Sequence, residues 1–153
     1  MRQLFLTFFY SGLLPYAPGT WGTIAGAVAG VFILKFLGLQ TLFLGMILIT
    51  IISINEINKE EKLSGDHDQS WIVIDEVAGI WLAMSMSGAT MMQIILSVIF
   101  FRVFDIWKPS VIGRIDREVK GGLGVMGDDL LAGVFAGIAS AGVYQALGYL
   151  SLI

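Results

Sequence analysis

The chain of 153 residues contains no cysteine, one histidine and three prolines, and only 14% of its residues are charged. Without cysteine there is no disulfide, no thiolate metal site and no cysteine nucleophile, and the redox compartment is not readable. The net charge of -3 is too small and too acidic to suggest a nucleic-acid partner. Repeats, low-complexity tracts and linkers are also absent, so one domain over 1–153 is expected. What is present is apolar: 56% of residues are hydrophobic, and the mean hydropathy is +0.82. That exceeds what a soluble domain of this length needs for its core and implies an integral membrane protein. An all-α polytopic helix bundle follows, with about five spans of roughly 20 residues each.

Leu4 to Tyr16 resembles a signal peptide but contains Gly12 and Pro15 and lacks a small-x-small cleavage site, so it reads as an interfacial or re-entrant segment. Pro18-Gly19-Thr20 reads as a stop and an N-cap at Thr20, opening a first span to Leu37. A second span is expected over Thr41 to Ile57, followed by a solvated polar stretch, Asn55 to Ser70. The third, Trp71 to Ser87, would carry Asp75 and Glu76 in its second turn. The fourth runs from Met91 to Trp107, and the fifth, Leu130 to Leu150, has a face rich in glycine and alanine suited to close helix packing.

Crossing five times from Met1 puts Arg2, the 55–70 stretch and the 101–129 segment on one face. Eight of the nine Lys and Arg residues then share that face, Lys35 being the exception, and all twelve acids join them. The basic bias makes the face cytoplasmic.

Carboxylates just inside apolar helices call for a partner. With no thiolate and only His67 as imidazole, the available ligands are oxygens, which favours a hard ion such as Mg²⁺ over zinc. Asp75-Glu76 and Asp128-Asp129 form two acidic pairs at one membrane depth, and Asp105 completes a set for one or two ions. Arg102, Lys108, Arg114 and Arg117 supply the donors a phosphate needs. Metal, arginine and lysine at a membrane surface suggest a phospholipid headgroup. Blander readings cover some of these charges: Glu56 to Lys62 reads as a solvated helix end, and Glu118 and Lys120 as an ion-paired turn. Asp128-Asp129 could act as a helix cap alone. The glycines 121, 122 and 124 fit either a flexible link or an anion-binding approach to a helix.

The order of these pieces resembles the phosphatidylglycerophosphatase A family of bacterial membrane phosphatases. They are Gly12, Pro15 and Pro18-Gly19-Thr20 with Gly22; His67-Asp68, then Asp75-Glu76 and Gly79; Phe101-Arg102 with Asp105, Trp107, Lys108 and Pro109; Asp116-Arg117; and Gly121-Gly122, Gly124, Met126 and Asp128-Asp129 before Ala132-Gly133. Three positions depart from the family pattern. Val111 stands where a second proline is expected, Gly113 where an arginine is common, and Gly127 where a bulkier apolar residue is usual.

The resemblance implies Mg²⁺-dependent hydrolysis of the phosphomonoester of phosphatidylglycerophosphate, giving phosphatidylglycerol and inorganic phosphate. Asp75, Glu76, Asp105, Asp128 and Asp129 are the candidate metal ligands, and Arg102, Lys108 and Arg117 the candidate phosphate binders. His67 or Asp68 would protonate the leaving oxygen or activate water. Water and a carboxylate both remain open as nucleophile. Two alternatives stand beside this reading: a phosphatase of another lipid such as phosphatidic acid, and a small cation transporter lined by Asp75, Glu76 and Asp105. The second is disfavoured because the span interiors carry no charge.

Overall fold

A computed structural model describes residues 1–66, 69–109 and 111–150. It contains seven α-helices: α1 (Arg2–Leu6), α2 (Pro18–Phe36), α3 (Leu39–Ser64), α4 (Ile74–Ser87), α5 (Met91–Trp107), α6 (Val111–Glu118) and α7 (Gly122–Tyr149). No strand occurs among the described residues, so the all-α expectation holds.

The expected count of about five spans is not confirmed. Among the described residues three helices, α2, α3 and α7, are long and apolar enough to cross a membrane. The third expected span is instead a helix of 14 residues that begins at Ile74, three residues later than predicted. Its shortness follows from its place: α4 packs against α2, α3, α5 and α7. It buries Val77, Ala78, Ile80, Ala83 and Met84 in the common core. A helix wrapped by others satisfies its surroundings through protein and need not match the thickness of the bilayer.

Glycines let this wrapping come close. The α2 glycines Gly22, Gly26 and Gly30 lie so near α4 that Cβ atoms there would press on Val73, Val77 and Met84. Trp81 of α4 donates its indole N–H to the Gly26 carbonyl at 2.8 Å, satisfying its one polar atom inside the apolar seam. On the other side of α4, a Cβ on Gly133 of α7 would run into the carbonyl of Gly79. Small residues on both faces therefore set the helix spacing, as in membrane bundles generally.

Other boundaries also differ from the sequence reading. The N-cap of α2 is Ala17, with Pro18 at N1, where proline's missing N–H costs nothing. Thr20 therefore lies inside the first turn with its side chain free for other work. The second expected span does not stop at the polar stretch: its helix, α3, runs to Ser64. Part of the charged segment is itself a helix, α6. Residues 4–16 form α1 and a 3₁₀ turn, Ser11–Leu13, and the Val73 N–H bonds the Leu6 carbonyl at 2.9 Å, pinning this segment to the start of α4.

The polar ends of the helices meet. Arg2 pairs with Glu60 at 2.7 Å. Asn58 near the end of α3 accepts the Gly122 N–H at 2.8 Å, capping α7. Lys108 at the end of α5 pairs with Asp128 of α7. The ionisable groups thus gather at one end of the bundle, as the sequence predicts, while Lys35 lies in the last turn of α2.

Candidate active site

A cavity of about 400 Å³ opens at this charged end between α2, α4, α5 and α7. Its wall carries Asp75, Glu76, Arg102, Asp105, Lys108, Asp128 and Asp129. Seven of the eleven residues singled out from the sequence therefore meet in one place. His67 and Asp68 lie outside the described residues; Ser70, two residues beyond Asp68, lines the same cavity. Arg114 and Arg117 are exposed on α6 and are not part of the lining.

Each group reaches the cavity for a local reason. Asp75 and Glu76 stand in the first turn of α4 rather than the second, where negative charge meets the positive end of the helix dipole. Asp128 and Asp129 lie nearly two turns inside α7, which starts at Gly122 because Gly121 takes a left-handed φ of 78° as N-cap. Glycine adopts that conformation without steric cost. Capping is therefore not their role. Gly79 matters next, because a Cβ on it would stand 2.7 Å from the Asp129 carbonyl and would strike the Phe101 ring. Its bare face lets α7 approach α4 closely enough to bring Asp129 beside the α4 acids.

The five acids divide into two sets. Asp105 and Asp128 hold the cations: Asp105 pairs with Arg102 on its own helix, and Asp128 pairs with Lys108 at 2.7 Å. Lys108 ends α5 in a left-handed conformation, φ 44°, which is strained for a residue with a Cβ and is typical of functional positions. Arg102 is fixed further by two hydroxyls that sequence reading had not assigned to the site, Thr20 at 3.2 Å and Thr23 at 3.4 Å. Thr23 donates its own proton to the Gly19 carbonyl at 2.8 Å, which leaves its oxygen to accept from the guanidinium. The sequence marks Thr20 only as an N-cap and as part of the Pro18-Gly19-Thr20 motif; the further signal for the pair is their spacing of three on α2, which puts both on one helix face.

Asp75, Glu76 and Asp129 form the second set, each offering a carboxylate oxygen within 4.8 Å of the others. Asp75 and Asp129 are buried, and Glu76 is half-buried. The Glu76 Oε2 and Asp129 Oδ2 atoms are shielded from solvent and have no hydrogen-bond partner among the described residues. Carboxylates converging in this way are costly unless a cation joins them. The donor set is all oxygen, which fits a hard divalent ion. Formal charge points the same way: with every carboxyl ionised, five acids against two cations in one cavity leave three negative charges in excess. A phosphate would be repelled until positive charge is added.

The family model described as phosphatidylglycerophosphatase A matches residues 4–144. Phosphatidylglycerophosphatase A of Haemophilus influenzae is 37% identical over 129 residues, covering 84% of this chain and 79% of that protein. The protein of the same name from Escherichia coli is 36% identical over 142 residues, covering 92% of this chain and 80% of its own length. A Bacteroides thetaiotaomicron protein named "Putative phosphatidylinositol-3-phosphatase" is 36% identical over 149 residues, with 93% and 92% covered. No solved structure matches the chain.

Proposed function

Because the chain belongs to the phosphatidylglycerophosphatase A family of phosphatases, we propose that it removes the terminal phosphate of phosphatidylglycerophosphate to leave phosphatidylglycerol, a step of phospholipid biosynthesis. The observation that carries this reading is the meeting of three converging carboxylates with Arg102 and Lys108 in one cavity, at the polar end of an apolar bundle. Such a cavity suits a substrate whose phosphate is polar and whose body is lipid. The enzyme acts on this reading in the bacterial inner membrane with the cavity facing the cytoplasm, because the basic residues cluster at that end.

Asp75, Glu76 and Asp129 would hold Mg²⁺, with Asp105 and Asp128 close by in the same wall. When bound, the ion would offset phosphate charge and polarise the phosphorus–oxygen bond. Arg102 and Lys108 donate to the phosphoryl oxygens, sharing their protons between substrate and the Asp105 and Asp128 carboxylates that orient them. Thr20 and Thr23 keep the Arg102 plane in position, so little reorganisation is needed when phosphate arrives. Arg117, exposed beside the cavity's lysine-bearing turn, would contribute to drawing the anionic headgroup in. His67 or Asp68, three and two residues before Ser70 in the sequence, would give a proton to the departing glycerol oxygen or activate water.

The test is phosphate release by the purified protein in detergent, with Mg²⁺ or with EDTA. Phosphatidylglycerophosphate is compared with phosphatidic acid and with phosphatidylinositol 3-phosphate, the latter because of the name borne by the Bacteroides relative. Metal-dependent release from the first lipid in preference to the others is expected. Preference for another lipid phosphate would keep the chemistry and change the substrate, and no release from any would leave the family's fold without its activity.

A further inference from the structure

A second, wholly apolar groove of about 310 Å³ runs between α2 and α5, the two helices whose ends hold Arg102 in place. Its floor is Ala27 and Ile94, both buried, and its rims are Ile24 and Val28 on one side and Ile95 and Ile99 on the other. The rims are about half exposed, Val28 and Ile99 at 52% each.

The groove is in register with the polar site. Ile24 follows Thr23 directly and lies four residues from Thr20, while Ile99 lies three residues before Arg102. Residues three and four apart share a helix face. One end of the groove therefore opens beneath the guanidinium that bridges α2 and α5, and the rest leads away from the charged end into the apolar part of the bundle. A larger apolar groove, bounded by Phe5, Phe9 and Ile49, meets α4 only at Ile74, and none of its residues lies on α2 or α5.

We propose that the α2–α5 groove receives an acyl chain of the lipid substrate, so that seating the chain brings the phosphate to Arg102. This rests on the functional reading above and adds to it a specificity surface. The groove residues run from 24 to 31 on α2, about 10 Å of helix at ~1.5 Å per residue. It therefore grips only the part of the chain nearest the glycerol, and the remainder stays in the bilayer. Chain binding of this kind lowers KM without touching the chemical step.

The experiment compares dioleoyl phosphatidylglycerophosphate with its water-soluble dibutanoyl analogue. Val28→Trp and Ile95→Trp place bulk on exposed rims, where the fold has room for it, and Ile138→Trp adds the same bulk to an exposed position of α7, 57% accessible, as control. The rim variants are expected to raise KM for the dioleoyl lipid at least fivefold while kcat, and turnover of the dibutanoyl analogue, stay within twofold of the parent. The control is expected to match the parent on both. Equal losses on the two lipids, or no loss on the long one, would overturn the groove's role while leaving the phosphatase reading intact. A parent protein inactive on both lipids would overturn the functional reading and the groove proposal together.

Discussion

Gly19, in the first turn of α2, faces Glu76 of α4 so closely that a Cβ at position 19 would run into Glu76 Oε1. The same Cβ would stand 3.3 Å from Arg102 Nη1. Two opposite charges from different helices are thus brought to one wall of the cavity across a residue with no side chain. The backbone here is helical, so glycine is required for space and not for an unusual φ.

Gly19→Ala follows from that contact. The atom in the way is the end of a flexible side chain, so Glu76 can swing aside and the fold survives. The displaced carboxylate then leaves the group formed with Asp75 and Asp129. The expected outcome is a melting temperature close to the parent's and a fall in kcat/KM of at least about tenfold, the loss that 1.4 kcal/mol of misplacement produces. An unchanged rate would show that Glu76 works from more than one position.

The converging carboxylates predict a metal effect visible without catalysis. If Asp75, Glu76 and Asp129 share a divalent ion, Mg²⁺ at a hundred times its dissociation constant stabilises the fold by about 2.7 kcal/mol. Differential scanning of the detergent-solubilised protein should show the parent's transition rising with Mg²⁺ and falling back with EDTA. Asp75→Asn and Asp129→Asn should abolish that rise, stay folded, and lose at least about a hundredfold in activity. A Mg²⁺-induced rise that persists in Asp129→Asn would remove this residue from the ion's ligands.

The acidic pairs were legible because charge is conspicuous in an apolar sequence. Asp75-Glu76 and Asp128-Asp129 needed no periodicity to be noticed, and their common end of the bundle followed from counting crossings. How the acids divide between the cations and one another was not legible, since it depends on where α5 and α7 meet: Asp105 and Asp128 pair with Arg102 and Lys108, while Asp129 turns to the α4 acids. The central position of α4 was hidden for a related reason. In a chain that is hydrophobic throughout, a helix buried by protein and one facing lipid have the same composition. The α6 helix was not singled out within the charged 101–129 segment because its eight residues fall below the length at which pattern is persuasive.

Arginine geometry at position 102 separates charge from shape. Arg102 bridges Asp105 on its own helix to Thr20 and Thr23 on α2, a fork that lysine cannot reproduce. Each hydrogen bond to a charged group is worth about 1.5–3 kcal/mol, so Arg102→Lys is expected to lower kcat/KM by about 10- to 100-fold although the charge is kept. Lys108→Ala should fall at least as far, because it also removes the ion pair to the buried Asp128. Arg117→Ala, outside the cavity lining, should raise KM a few-fold at most and mainly at low salt. A loss at Arg117 equal to that at Lys108 would place α6 in direct contact with the phosphate.

The glycines of the central seam supply a stability prediction whose sign differs between two positions. At Gly79 a Cβ would stand 2.7 Å from the Asp129 carbonyl and collide with Phe101. A backbone carbonyl and a fully buried ring cannot swing away, so Gly79→Ala must push α7 from α4, at a cost of about 1–3 kcal/mol as for other overpacked cores. At Gly142, further along α7, nothing lies within 4 Å of the added Cβ. There alanine meets open space and recovers up to about 1 kcal/mol of helix propensity. Unfolding in detergent should therefore find Gly79→Ala less stable than the parent and Gly142→Ala equal or more stable. Because the seam at Gly79 also seats Asp129, the first variant should lose its response to Mg²⁺ as well, and the second should keep it. A Gly79→Ala protein with parental stability and full metal response would mean that the close approach of α4 and α7 is not what brings the carboxylates together.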